Sequence, residues 1–119
     1  MTVATSQYET LSAVMAAREA IDEKKGESLV LLDISEITPV ADYFLIATGN
    51  NSRQIRTLSE EVERAVKETY GVAPLSIEGL AQAQWVLMDY GDFVVHIFDP
   101  ETREFFNLER LWSDAKKVA

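Results

Sequence analysis

The chain of 119 residues suits one domain and leaves little room for two. An apolar share of 47% excludes an apolar-poor disordered chain, and the absence of cysteine excludes a disulfide framework and any thiolate metal site. Twenty acids against eleven bases give a net charge of −9; Lys24–Lys25 and Lys116–Lys117 are the only adjacent basic pairs, so the basic patch that binds a phosphate backbone is missing.

Little or no direct nucleic-acid binding is therefore expected. An acidic protein can still join a nucleic-acid machine by docking on its basic proteins, or use its charge only for solubility. Met1 to Ala20 lacks the basic start and apolar run of an export signal. No arginine or lysine precedes Arg18, which argues against an organelle transit peptide. Apolar runs such as Leu29–Leu32 and Tyr43–Ala47 are too short to span a bilayer. The expectation is a cytoplasmic protein without a membrane partner.

Ser6-Gln7-Tyr8-Glu9 has the form of a capping box, and Leu11, Val14, Met15, Arg18 and Ile21 follow at helical spacing. A helix over about residues 7–25 is predicted, with Lys24-Lys25-Gly26 as its C-terminal cap. Leu29–Asp33 and Tyr43–Thr48 read as buried strands, and Pro39 makes the stretch between them a connection. Gly49-Asn50-Asn51-Ser52 is a turn that places Asn51 or Ser52 at a helix N-cap. Ile55, Leu58, Val62, Ala65 and Val66 share one face of the helix it opens, and Gly71 closes it. Leu75–Glu78 is short and strand-like, and Gly79–Gln84 is a loop. Trp85–Asp89 and Phe93–Phe98 form a hairpin around Tyr90-Gly91-Asp92, with the positive-φ position at Gly91. Asp99-Pro100 is a turn before one or two short helical pieces. The order points to a single α/β domain over residues 1–119, core 7–114, with a mixed sheet of about five strands packed with helices.

Residues for catalysis are sparse. His96 is the lone histidine, and in an apolar strand it reads more readily as a packed, hydrogen-bonded residue than as a catalyst. Gly49–Ser52 resembles an anion-binding turn, but one glycine and no lysine favour a plain N-cap. Asp33 and Asp42 sit at strand ends without the close spacing that holds a hard cation. No catalytic residue, cofactor or metal is expected.

The hairpin carries more information. With a two-residue loop at Tyr90-Gly91, Trp85 lies opposite His96, Leu87 opposite Val94, and Asp89 opposite Asp92. Val86, Met88, Phe93, Val95 and Ile97 then line a wholly apolar core face. The first face mixes an indole, an imidazole, aliphatics and carboxylates, and need not be buried against a helix. From Glu78 to Glu104 there are six acids and one base. An aromatic anchor rimmed by acids suits a basic partner, whereas a core tryptophan beside a solvated charged face accounts for the same residues.

A longer pattern runs through Asp42-Tyr43-Phe44, Thr48-Gly49-Asn50 and Ser52-Arg53-Gln54. It continues in Glu78-Gly79, in Trp85-Val86-Leu87-Met88-Asp89-Tyr90-Gly91-Asp92, in Val94-Val95-His96-Ile97-Phe98, in Arg103 and in Leu108-Glu109-Arg110-Leu111-Trp112. It resembles the Iojap-related family of bacterial ribosomal silencing factors over nearly the whole chain. Departures are modest: the residue after Tyr43-Phe44 and the helix surfaces differ. The resemblance implies a mixed-sheet α/β fold, nucleotidyltransferase-like without catalytic residues, and a protein that is not an enzyme. It implies binding to the large ribosomal subunit through the universal large-subunit ribosomal protein fourteen, at the intersubunit face, where the small subunit is blocked sterically and translation is repressed. Trp85, Leu87, Asp89, Asp92, His96 and Glu78 are the expected partner-binding residues. Two rival readings stand beside it: a nucleotide-handling enzyme using Gly49–Ser52 with Asp33 or Asp42, and a homodimeric adaptor pairing through the hairpin face.

Overall fold

The computed structural model describes the backbone of residues 7–119 and the side chains of residues 10–119; the capping box expected at Ser6–Glu9 lies outside the described residues. Helix α1 (Gln7–Glu23) buries Ala13, Val14, Ala17, Ala20 and Ile21; of the positions picked out by spacing, Val14 and Ile21 are buried, Leu11 and Arg18 are partly buried, and Met15 is exposed. It ends two residues earlier than predicted, because Lys25 takes the left-handed conformation (φ 68°) and turns the chain into β1 (Glu27–Asp33). Strand β2 (Tyr43–Thr48) is buried along its whole length, and β1 pairs with it antiparallel. Helix α2 (Ser52–Tyr70) starts at Asn51, whose side chain accepts from the Gln54 backbone N–H, and ends at Gly71 (φ 70°). Strands β3 (Ser76–Glu78), β4 (Trp85–Asp89) and β5 (Phe93–Phe98) follow, then α3 (Pro100–Phe106), α4 (Leu108–Leu111) and β6 (Lys116–Lys117).

Among the described residues these strands form one mixed sheet of six in the order β3-β4-β5-β2-β1-β6. Only β2 and β5 run parallel; the other neighbours are antiparallel. The sixth strand corrects the expected count of about five. Lys116 and Lys117 are exposed and too few to show an alternating pattern, so β6 exists only because the β1 edge offers it partners.

The hairpin register also differs from expectation. Trp85 pairs with Phe98, Leu87 with His96 and Asp89 with Val94, a slip of two residues from the predicted pairing. Tyr90 decides it. Its ring is buried and stacks on Phe93 at 4.6 Å, and its N–H donates to the Phe93 carbonyl, so Tyr90 joins the ladder and Gly91-Asp92 becomes the loop. Gly91 keeps the predicted positive φ, at 87°. An even slip leaves the paired side chains on their predicted faces and moves Asp92, expected on the mixed face opposite Asp89, into the loop.

One face of the sheet carries Leu31, Tyr43, Leu45, Val86, Met88, Phe93, Val95 and Ile97, packed beneath α1 and α2. The opposite face carries Leu32, Phe44, Ile46, Val94 and Phe98, with Leu108 and Trp112 of the C-terminal segment packed over them.

Candidate docking surface

The second sheet face is built in rows set by strand register. Glu78 lies beside Leu87, Leu87 beside His96, and His96 beside Ile46. In the next row Ser76, Asp89, Val94 and Phe44 stand side by side, and in the third Trp85 meets Phe98. Five of the six expected partner residues therefore share this face, with Asp92 on the loop beside it. Coverage is uneven. Phe44, Ile46, Val94, His96 and Phe98 are buried, Trp85, Leu87 and Asp89 are half-buried, and Glu78 and Asp92 are exposed.

Two expectations are corrected here. The face does pack against helical structure: Trp112 meets Phe44 edge to face at 5.2 Å, and Phe106 of α3 lies 4.8 Å from the Trp85 ring. His96 is only 4% exposed, beneath that cover, and is no surface residue in the unbound chain. It is the packed, hydrogen-bonded histidine that an apolar strand suggests, since its Nδ1 accepts the Trp85 indole N–H at 3.1 Å. Burial alone lowers its pKa from 6.5 to about 4, so it is neutral at physiological pH. Its Nε2 is buried with no hydrogen-bond partner among the described residues.

The open part of the face lies toward β3 and β4. Trp85 stacks on Phe98 at 4.9 Å and is bordered by Phe106, itself half exposed at 49%. Phe105 at 81% and Leu111 at 73% continue the apolar surface along α3 and α4. Sequence reading missed these three; the signal was adjacent phenylalanines in a segment too short to bury both. Acids border the patch: Glu101 and Glu104 of α3 and Glu78 of β3 are exposed, and Asp92 is exposed at the far end of the hairpin. Asp89 also serves the turn, accepting from the Gly91 N–H at 2.8 Å. Arg103, the single base in this stretch, is spent internally: it forms a two-pronged pair with Glu109 at 3.1 and 3.0 Å and donates to the Thr48 hydroxyl at 2.8 Å. The patch thus combines exposed aromatic area with an excess of acids, Arg110 being, among the described residues, the one exposed base that lines it beside Leu111.

The residues of the rival enzymatic reading have structural employment. Asn51 caps α2, while the Gln54 side chain accepts from the Asn50 N–H and donates to the carbonyls of Lys24 and Lys25. That ties the turn to the end of α1. Asp33 accepts from the backbone and hydroxyl of Ser35. Burial, then the nearby Asp92 and Asp33, raise the Asp42 pKa. Among the described residues no group of three or more His, Cys, Asp or Glu side chains is placed to hold a metal ion. No described helix is long and apolar enough to cross a membrane.

Fold and surface together define a small α/β domain with a mixed sheet, sealed on one face and half open on the other. The family described as "Ribosomal silencing factor during starvation" matches residues 7–119. The chain is 42% identical over 102 residues to a ribosomal silencing factor of Halalkalibacterium halodurans, covering 86% of each. It is 41% identical over 104 residues to that of Bacillus subtilis, covering 87% of each. A crystal structure of a Chromobacterium violaceum protein superposes with a TM-score of 0.83 at 35% identity, covering 87% of this chain and 85% of that one. A Bacillus halodurans crystal structure gives 0.79 at 37% identity over 92% and 98%. The chain belongs to the ribosomal silencing factor family, which is named for an effect on ribosomes and not for a reaction.

Proposed function

We propose that this chain docks through the open part of its second sheet face onto the universal large-subunit ribosomal protein fourteen. Bound there, at the intersubunit face of the large subunit, it excludes the small subunit by occupancy and so represses translation in the cytoplasm. The observation that carries the reading is the partly exposed Trp85–Phe106 surface bordered by Glu78, Glu101 and Glu104. A basic ribosomal protein meets complementary charge at the rim and aromatic area at the centre. At physiological salt the screening length is about 8 Å, so rim carboxylates act more on the encounter rate than on final affinity. Steric exclusion needs no chemistry from the chain, and family membership supports a ribosomal target.

The test is sucrose-gradient sedimentation of the purified protein with separated subunits recombined in stages. Cosedimentation with large subunits and a smaller joined-ribosome peak is expected. Protein left at the top of the gradient, with joining unaffected, would refute the reading. Added protein fourteen should compete for the chain, and a self-associated form, measured by sedimentation at several concentrations, should dissociate as it binds.

A further inference from the structure

We infer that His96 is a positioning residue for Trp85: its Nδ1 holds the indole N–H and so sets the orientation in which the ring is offered to the partner. The inference rests on the docking reading above and deepens it.

Trp85 begins β4, where the loop from Gly79 enters the strand. Ring contacts with Phe98 and Phe106 hold the indole by packing, which tolerates sliding and tilting. The hydrogen bond to His96 is its directional contact, at 3.1 Å from a strand whose own position is locked between β4 and β2. The backbone at the indole's root is also tightly held. A Cβ at Gly79 would stand 2.0 Å from the Trp85 carbonyl oxygen, so the loop packs against the strand where only glycine fits. An interface side chain already fixed before docking loses less rotamer freedom on binding.

The imidazole itself shows what it is for. Its neighbours along β5 are Phe93, Val94, Val95, Ile97 and Phe98, all apolar and buried. A neutral imidazole that accepts at Nδ1 carries its proton on Nε2. That N–H is buried with no partner among the described residues, an arrangement that destabilises a fold. Leucine would fill the strand position without it. What leucine cannot do is accept the Trp85 N–H. Phe44, edge to face at 4.7 Å, holds the imidazole plane from the β2 side. Burial keeps the ring neutral, so the acceptor persists at physiological pH.

Two measurements test this. The first needs no variant: nitrogen NMR of histidine-labelled protein reads the tautomer directly. The Nε2–H form with a hydrogen-bonded Nδ1 is expected; an Nδ1–H form sets two N–H groups face to face and overturns the inference. The second compares affinity for large subunits across His96→Leu, His96→Asn, Trp85→Phe and the double variant His96→Leu with Trp85→Phe. Asparagine can place its side-chain oxygen near the Nδ1 position; leucine offers no acceptor. His96→Leu should bind roughly 3- to 10-fold more weakly, the range one net hydrogen bond supports. His96→Asn should recover most of that loss. In the Trp85→Phe background, which has no indole N–H, His96→Leu should cost nothing further.

An equal loss in the Trp85→Phe background makes His96 a packing residue and overturns the inference, as does unchanged binding of His96→Leu. If His96→Leu does not fold, the tautomer and the His96→Asn affinity still decide. Wild-type protein that fails to travel with large subunits refutes the docking reading and with it the role of His96 in docking. The tautomer measurement then judges the hydrogen bond by itself.

Discussion

The two faces of the sheet have different covers, and the difference accounts for the candidate site. On the sealed face lie α1 and α2, of 17 and 19 residues, each about 25–28 Å long at the standard helical rise. Packed side by side, α1 lies over β1 and β2 and α2 over β4 and β5, so between them they cover the four central strands. On the other face α3 and α4 have 7 and 4 residues, about 10 and 6 Å. They reach Phe44 and the edge of Trp85 and leave the β3–β4 end open. A sheet whose strands are apolar on both sides but whose second cover is short must present aromatic surface somewhere. Here that surface sits among acids.

Substitutions should separate the faces. The largest effect is expected on the sealed side: Leu45→Ala, at a fully buried position, should cost about 2–5 kcal/mol in denaturant titration. Phe105→Ala, at 81% exposure, should change stability by less than about 0.5 kcal/mol and instead weaken binding to large subunits. A comparable stability loss in both would erase the distinction.

Next in size is a pH effect from the half-open face. Unfolded histidine titrates near 6.5 and folded His96 near 4, so between these values the unfolded chain binds the proton more readily. The contribution is fully present above pH 6.5 and falls by about 3 kcal/mol as pH drops to 4. Asp42, whose pKa is raised in the fold, works in the opposite direction and offsets part of this. Unfolding midpoints at pH 7 and 4.5 should converge more in His96→Leu than in the parent; an identical drop in both would show that His96 is not responsible.

Trp85→Ala comes third, at on the order of 2 kcal/mol of binding, with the domain still folded by circular dichroism. Unfolding instead would assign Trp85 to the core, through its stack on Phe98. The smallest effect is expected from Asp92→Asn and Glu104→Gln. Each should slow association a few-fold at low salt and differ little from the parent at high salt. A salt-independent loss would mean that these carboxylates make direct contacts.

Much of this contrast was legible in the sequence. Alternation along Trp85–Phe98 assigned each paired side chain to its face, and it survived a wrong register because the slip was even. The register was not legible, because a loop at Tyr90-Gly91 and one at Gly91-Asp92 leave the same pattern and differ only in where the Tyr90 ring is buried. Gly71, Gly91 and Asn51 were readable, since a positive φ or a cap depends on local chemistry. Lys25 was not, because its neighbour Gly26 offered the usual signal and the chain used the lysine.

The sequence by itself determined the α/β class, the helices α1 and α2, the core strands and the one-sided gathering of Trp85, Leu87, Asp89 and His96. These follow from periodicity and local conformational preference, which act over a few residues. Only the tertiary structure decided how much of that face is covered, that His96 is buried and tied to Trp85, and that β6 closes the sheet. The cover and β6 depend on where the C-terminal segment comes to rest, and the bond to Trp85 on the hairpin register; no local pattern records either.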